Sequence, residues 1–259
     1  MDRSNIAERM KTYEAVPKNF LMTRQPVIIR LDGKAFHSFT KGFERPFDLI
    51  LIQTMQHTME HLCKNIQGCV FGYTQSDEIS LVLVDYQNLF TNAWFNNNVQ
   101  KITSIASSMA TLYFNKYFAQ TVDNFIKFSD DDLSSEHYVK LINTYQKRIA
   151  SGAMFDARCF NLPKEEVANY IYWRQNDAIR NSIQMVGQSN FSRRQLHGVS
   201  CNQIKSMLRD EKNIFWDDYP KYMQHGSSCY KIDGKWAIDG NMPVILGYDR
   251  EYVERHIFL

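Results

Sequence analysis

The chain lacks the features of a membrane protein or of a strongly cationic nucleic-acid binder. None of its apolar runs approaches the roughly 20 residues needed to span a bilayer. The first residues, Met-Asp-Arg-Ser-Asn, contain no apolar segment of the kind found in secretory signals. The formal net charge of the 259 residues is only +2, so any nucleic-acid surface is expected to be a local basic patch.

Cysteine motifs and the best-known phosphate-binding loop are also missing. The 5 cysteines contain no CxxC pair, which favours reduced thiols in a cytoplasmic protein over a zinc site or a disulfide framework. None of them lies in a recognisable nucleophile motif with a histidine and an acid, so we assign no covalent catalysis. The absence of GxxxxGK[ST] argues against a P-loop NTPase.

The order of the predicted elements is that of a split β-α-β-β-α-β sheet. Apolar runs predict strands over 26–31, 69–73, 79–84 and 153–160. Apolar residues spaced by three and four predict helices over 48–66 and 96–118. The short polar segment 74–78 between two apolar runs predicts a hairpin. This order is typical of α+β, ferredoxin-like domains whose antiparallel sheet has helices packed on one side.

The middle of the chain is less regular. Residues 121–135 contain the acidic run Ser129-Asp130-Asp131-Asp132 and predict a loop or a poorly ordered insertion. Pro163, followed by acidic residues, predicts the start of a long helix that continues to about residue 185.

The C-terminal part predicts shorter elements. Residues 193–209 predict a helix with a break at Gly198, and 229–238 predict a hairpin that turns at Asp233-Gly234. We find no repeat, low-complexity tract or linker. The chain is therefore interpreted as a single catalytic domain, 1–259, with a helical and hairpin extension at about 186–259.

Two carboxylates follow or interrupt predicted strands. Asp32 ends the first apolar run, and Gly33 after it permits a sharp bend that exposes a carbonyl oxygen and amide groups. Asp77 lies in the polar tip of the predicted hairpin. Alone, each acid is explained as well by an ordinary turn. If the strands are neighbours, both acids project from one sheet end and can hold paired Mg²⁺ ions against a triphosphate.

Further acids and bases surround this pair. Because consecutive strand residues point to opposite faces, Asp77 and Glu78 are not expected to contact the same ion, and one should support the other by accepting hydrogen bonds. Asp48, at a predicted helix start, is explained equally well as an N-cap. Isolated surface cations are usually only solvated. Those that fit a triphosphate here are Lys34, His37, Lys41, Arg45 and Lys101.

The chain resembles the tRNA(His) guanylyltransferase superfamily, and within it the bacterial and archaeal branch of guanylyltransferase-like 3′–5′ polymerases. The matching stretches are 30–39, 45–48, 72–80, 155–158 and 173–177. They occur in family order over about residues 10–185, and the RLDG and QSDE motifs are the specific ones. The resemblance implies a polymerase-like palm that extends tRNA at its 5′ end, using two Mg²⁺ ions and nucleoside triphosphates such as ATP and GTP.

The resemblance also implies roles for the candidate residues. The two ions would be held by Asp32, the carbonyl of Gly33 and Asp77, with the two aspartates as catalytic residues. Nucleotide contacts are implied for Gly33, Lys34, Ala35, Phe36, His37, Arg45, Asp48, Ser76 and Lys101. Among these, the backbone of 34–37 with Ser76 and Lys101 would hold the triphosphate, while His37 and Asp48 would lie near the base.

One family motif is missing. Enzymes that add an untemplated G to tRNA(His) carry HINNLYN just after WRQAD, whereas residues 179–185 here read IRNSIQM. The leading interpretation is therefore templated addition of nucleotides to truncated tRNA after 5′ activation with ATP or GTP. G addition to tRNA(His), a nucleotidyl cyclase and a catalytically inert RNA-binding protein are the alternatives. The resemblance further implies a homotetramer.

Overall fold

One six-stranded antiparallel sheet organises the protein. A computed structural model describes residues 5–129 and 133–258. The strands are β1 (Val27–Gly33), β2 (Cys69–Gln75), β3 (Glu78–Leu83), β4 (Phe155–Asn161), β5 (Ser227–Ile232) and β6 (Lys235–Asp239). Their spatial order is β4-β1-β3-β2-β5-β6, which contains the predicted split arrangement in its first four members.

Helices connect and cover these strands. In the described parts of the chain they are α1 (Asn5–Ala15), α2 (Phe36–Phe39), α3 (Leu49–Asn65), α4 (Val99–Phe128), α5 (Glu136–Ser151), α6 (Lys164–Asn190), α7 (Arg193–Leu196), α8 (Cys201–Lys212), α9 (Lys221–His225) and α10 (Glu251–Glu254), with 3₁₀ turns at Trp94–Asn97, Trp216–Asp218 and Gly247–Arg250. Within those same parts, no helix is long and apolar enough to cross a membrane.

The central strands β1, β2 and β3 are buried on both faces. Successive strand residues point to opposite faces, and helices cover both. On β1, Ile29 packs into the cluster that contains α3 and α4, whereas Ile28 packs with Val167 and Ile171 of α6. The α+β, split βαβ prediction is confirmed. The expectation that helices lie on one side only was wrong, since α6 covers the second face.

Most predicted elements lie close to their predicted bounds, although α6 continues to Asn190 rather than ending near residue 185. Helix α4 continues to Phe128 because Phe118 and Val122 are buried in the core, so the loop predicted from residue 121 begins later. Helices α1, α5, α9 and α10 were not predicted. Residues 130–132 of the acidic run lie outside the described part. The C-terminal hairpin turns as predicted, with positive φ angles at Asp233 (50°) and Gly234 (77°).

Candidate active site

Asp32 and Asp77 lie side by side at one edge of the sheet. Asp32 is directly opposite Glu78 in the β1–β3 register, and the Gly33 N–H donates a hydrogen bond of 3.1 Å to the Asp77 carbonyl oxygen. Only Ser76 and Asp77 separate β2 from β3. The tight turn therefore holds the second acid beside the end of the first strand.

The environment of these acids favours a cation. Burial raises the pKa of the Asp77 carboxyl, and the nearby Asp32 raises it further, while the Ser76 hydroxyl, 3.0 Å from Asp77 Oδ1, lowers it. Within residues 5–129 and 133–258, no salt bridge to a basic side chain involves either acid. Two partly desolvated carboxylates that make no ion pair with a basic side chain are well suited to a divalent ion.

The donor set fits Mg²⁺ held jointly with a nucleotide. The described residues contain no cluster of three or more His, Cys, Asp or Glu side chains arranged for a metal. Asp32 and Asp77 offer carboxylate oxygens, and Gly33 offers a carbonyl oxygen. Mg²⁺ is typically bound by one or two carboxylates together with substrate phosphates and water, so a resident all-protein cage is not required.

Gly33 continues strand β1, so the bend expected there occurs instead at Ala35, and the glycine allows the Phe36 ring to pack against the end of the strand. A Cβ atom at this position would lie 2.2 Å from Cδ2 of Phe36, much closer than packed atoms allow. The Phe36 ring in turn packs against Phe114 and Phe155, at centroid distances of 5.4 and 5.2 Å. An aromatic cluster in the core therefore fixes the position of the loop that follows the first acid.

The loop amides are only partly available to a phosphate. The Lys34 N–H donates a hydrogen bond of 2.8 Å to the Met154 carbonyl. This amide already has a partner, which contradicts the triphosphate contact expected from it. Ala35 has a φ angle of 56° and directs the chain into α2. The amides of Ala35, Phe36 and His37 at the start of this short helix remain the candidates for triphosphate binding.

A cleft of about 800 Å³ opens next to Asp77. It lies between the segment that joins α2 to α3, the β2–β3 turn and the C-terminal part of α6. The predicted residues that line it are Phe36, His37, Arg45, Asp48, Ser76 and Asp77. Sequence reasoning missed its far wall, which includes Met185, Gln188, Ser189, Phe191 and Arg193. No local motif marks these residues, because only the packing of α6 brings them to the site.

Glu78 supports the site through a buried ion pair. Arg174 of α6 donates from Nε to Glu78 Oε1 at 2.7 Å and from Nη2 to Oε2 at 2.8 Å. Arg174 Nη2 also bonds Asp177 at 3.1 Å. The expectation that one acid of the hairpin accepts supporting hydrogen bonds is confirmed. Its donor was missed, although Arg174 lies in the matching stretch 173–177.

Asp48 is engaged as a helix cap. Its side chain accepts hydrogen bonds from the Leu51 N–H at 2.8 Å, the Glu44 N–H at 3.0 Å and the Tyr145 hydroxyl at 2.6 Å. The alternative that treated this residue as the N-cap of α3 is therefore confirmed. Although Asp48 lines the cleft, its two oxygens already have partners, which disfavours direct contact with a base.

We expect Asp48→Ala to lower the free energy of unfolding by about 2 to 3 kcal/mol, because a cap and the partner of a buried hydroxyl are both lost. Urea denaturation measures this change. Tyr145→Phe is the matched control, since it removes only the hydroxyl and should lose about 1 kcal/mol. Unchanged stability of Asp48→Ala together with a raised KM for nucleotide would instead place Asp48 against the base.

Lys101 lies away from the cleft. Strand β3 begins at the acids and leads the chain away from them before α4 starts. Helix α4 then returns along β4. The Cys159 Sγ lies 4.0 Å from the Val99 carbonyl oxygen, and the Phe155 N–H donates a hydrogen bond of 3.1 Å to Thr111 Oγ1. Lys101 precedes Thr111 by about 15 Å of helix. Within one chain, the expectation that Lys101 joins the triphosphate site is therefore not supported by this geometry.

Comparison with known proteins identifies the family. A sequence model described as Thg1, tRNAHis guanylyltransferase, matches residues 7–163, which include both acids and their supporting strands. The chain belongs to the tRNAHis guanylyltransferase family. It is accordingly a nucleotidyltransferase.

Solved structures and sequence relatives agree with this assignment. A bacterial tRNA(His) guanylyltransferase-like protein in complex with ATP is 40% identical, with a TM-score of 0.83, over 98% of this chain and 100% of that one. A second, in complex with GTP, is 36% identical with a TM-score of 0.74 over the same shares, 98% and 100%. The probable tRNA(His) guanylyltransferase of Dictyostelium discoideum is 25% identical over 237 residues, which cover 86% of this chain and 81% of that protein.

Proposed function

We propose that this nucleotidyltransferase adds templated nucleotides to the 5′ end of truncated tRNA after activating the 5′-phosphate with ATP or GTP. The observation that carries the proposal is the meeting of Asp32 and Asp77 beside a cleft of about 800 Å³. A cavity of this size accommodates a nucleoside triphosphate. The ATP and GTP bound by the two bacterial relatives support the choice of nucleotide.

In this proposal, Asp32, the Gly33 carbonyl and Asp77 hold two Mg²⁺ ions. When bound, such ions neutralise phosphate charge and polarise the reacting oxygens. The amides of Ala35, Phe36 and His37 donate to the triphosphate, and the Ser76 hydroxyl joins them when it exchanges its hydrogen bond to Asp77 for a phosphate oxygen. Arg45, exposed on the cleft wall, adds positive charge.

The reaction has two phosphoryl-transfer steps. The 5′-phosphate of the tRNA first attacks the α-phosphorus of the triphosphate, and pyrophosphate leaves. The 3′-hydroxyl of an incoming nucleotide then attacks the activated 5′-phosphate, and the nucleoside monophosphate leaves. Both steps need positioning and charge neutralisation rather than a protein nucleophile. The Cys63 thiol fits this view. It is buried in the core, burial raises its pKa, and it does not line the cleft.

The subunit arrangement and location belong to the same proposal. The family resemblance implies a homotetramer, and the cysteine pattern favours a cytoplasmic location. Helix α1 contributes no buried residue within this chain and exposes Ile6, Met10 and Tyr13, which is compatible with contact to another subunit. Analytical ultracentrifugation measures the number of subunits.

The test uses 5′-monophosphorylated tRNA that lacks one 5′ nucleotide, each nucleoside triphosphate and Mg²⁺, with sequencing of the product 5′ end. We expect one added nucleotide that changes when the opposing base in the tRNA is changed. Full-length tRNA is the control. Addition of G whatever the opposing base would indicate G addition to tRNA(His). An RNA-independent cyclic product would indicate a cyclase, and tRNA binding without any product would indicate an inert RNA-binding protein.

A further inference from the structure

Trp173 is an exposed aromatic residue that the proposed chemistry leaves unused. It lies on α6 directly before Arg174, and 53% of its surface is exposed. The Arg174 guanidinium carbon is 4.5 Å from the centroid of the indole ring. Because Arg174 is held by Glu78, the ring stands beside an ion pair that is itself fixed to the sheet.

The sheet register places this ring near the acids. In antiparallel strands, residues directly opposite each other point to the same face. Arg30 is opposite Arg158, and Asp32 is opposite Asp156, so these four side chains share one face. Since Arg30 is 6.0 Å from the Trp173 ring centroid, this is the face that α6 covers. Trp173 therefore lies beside Arg30, two residues before Asp32 on the same face of β1.

Basic groups next to the ring are available for a phosphate. The Arg30 side chain is half-buried, and its buried Nε has no hydrogen-bond partner in the described part of the chain, so Arg30 supplies positive charge rather than a direct bond from Nε. Arg158 pairs with Asp156 at 3.1 Å, but their side chains are 50% and 61% exposed. An exposed pair of this kind is weak, so Arg158 can exchange its partner for a phosphate. The acidic Asp156 limits the positive charge of this surface without removing it.

We propose that Trp173 is the platform on which the 5′-terminal base of the RNA substrate stacks, with Arg30 and Arg158 facing its phosphates. This inference rests on the proposed function, because it assigns a position to the RNA end in that reaction. Exposed aromatic rings flanked by arginines are the usual means of holding an unpaired nucleobase.

The geometry favours the RNA end over the base of the free nucleotide. Trp173 is not among the residues that line the cleft, whereas Met185 and Gln188 of the same helix are. Trp173 and Met185 are about 18 Å apart along α6. Asp77 lines the cleft, and Asp32 shares its sheet face with Arg30. The two acids thus lie between a cleft for the triphosphate and the surface around Trp173, as a reaction that joins two substrates requires.

The kinetic test compares Trp173→Ala, Trp173→Phe and Tyr248→Ala. Stacking of one base typically contributes enough for about a 10-fold effect, so Trp173→Ala should raise the KM for truncated tRNA about 10-fold. The KM for the nucleoside triphosphate should not change. Trp173→Phe retains a ring and should stay within about 3-fold of wild type. Tyr248, another exposed aromatic side chain, is the control and should have no effect.

A binding test without Mg²⁺ separates this inference from the proposed function. The affinity for 5′-monophosphorylated tRNA, measured by filter binding, should fall about 10-fold in Trp173→Ala. Binding of tRNA should also quench part of the tryptophan fluorescence of the wild type, and this quenching should be absent in Trp173→Phe. If wild type binds tRNA in this way but adds no nucleotide, the proposed function fails alone. If wild type is active and Trp173→Ala keeps its KM for tRNA, or changes only the KM for nucleotide, the stacking platform is wrong.

Discussion

Asp77→Asn should abolish nucleotide addition and at the same time raise the melting temperature of the ligand-free protein. The loss of activity should be at least roughly 1000-fold, or about 4 kcal/mol, since the variant loses a carboxylate that holds the ions against the reacting phosphates. The stability gain, about 1 kcal/mol at neutral pH, follows from the removal of a partly buried charge next to Asp32.

The pH dependence of this gain follows from the pKa of Asp77. Burial and the charge of Asp32 raise this pKa above its ordinary value of 3.8. The folded protein therefore binds the proton more tightly than the unfolded chain does, and stability falls as pH rises from about the unfolded to the folded pKa. The difference in melting temperature between Asp77→Asn and wild type should accordingly vanish under acidic conditions near the ordinary pKa.

Thermal unfolding from acidic to neutral pH, with and without Mg²⁺ and a triphosphate, measures both effects. Wild type should gain stability from the ligands, and Asp77→Asn should gain much less. Asp123→Asn, a change at an exposed acid of α4, is the control and should alter neither stability nor activity. Full activity of Asp77→Asn would contradict its assignment as a metal ligand.

Breaking the pair between Glu78 and Arg174 should destabilise the protein more than loss of the cap at Asp48. Glu78→Ala or Arg174→Lys should lower the free energy of unfolding by about 3 to 5 kcal/mol, because the remaining buried charge or its hydrogen bonds lose their partner. Glu78→Ala should therefore cost more stability than a change at Asp77, whose carboxyl makes no ion pair with the described residues.

Urea denaturation of single and double variants tests this pair. Replacing both residues with apolar ones, Glu78→Leu with Arg174→Met, should recover much of the lost stability because no lone buried charge remains. Arg209→Lys changes an exposed pair with Asp210, whose side chains are 56% and 60% exposed, and should have little effect. Equal stability of Arg174→Lys and Arg209→Lys would show that the buried pair contributes nothing special.

Local patterns in the sequence were sufficient for several features. The Ser76-Asp77 turn and the cap at Asp48 each depend on the conformational preference of a few neighbouring residues. Strand alternation in β1 likewise follows from its own apolar run. Such features are short-range, so the amino-acid order determines them before any tertiary contact forms.

Other features depended on contacts between distant segments. Arg174 became the partner of Glu78, and Met185 reached the cleft, only because α6 packs on the second face of the sheet. Lys101 was separated from the acids because β3 leads away from them before α4 begins. By itself, the sequence determined the two acids and the turn that presents Asp77. The tertiary structure decided which charges face those acids, since long-range packing alone brings such residues together.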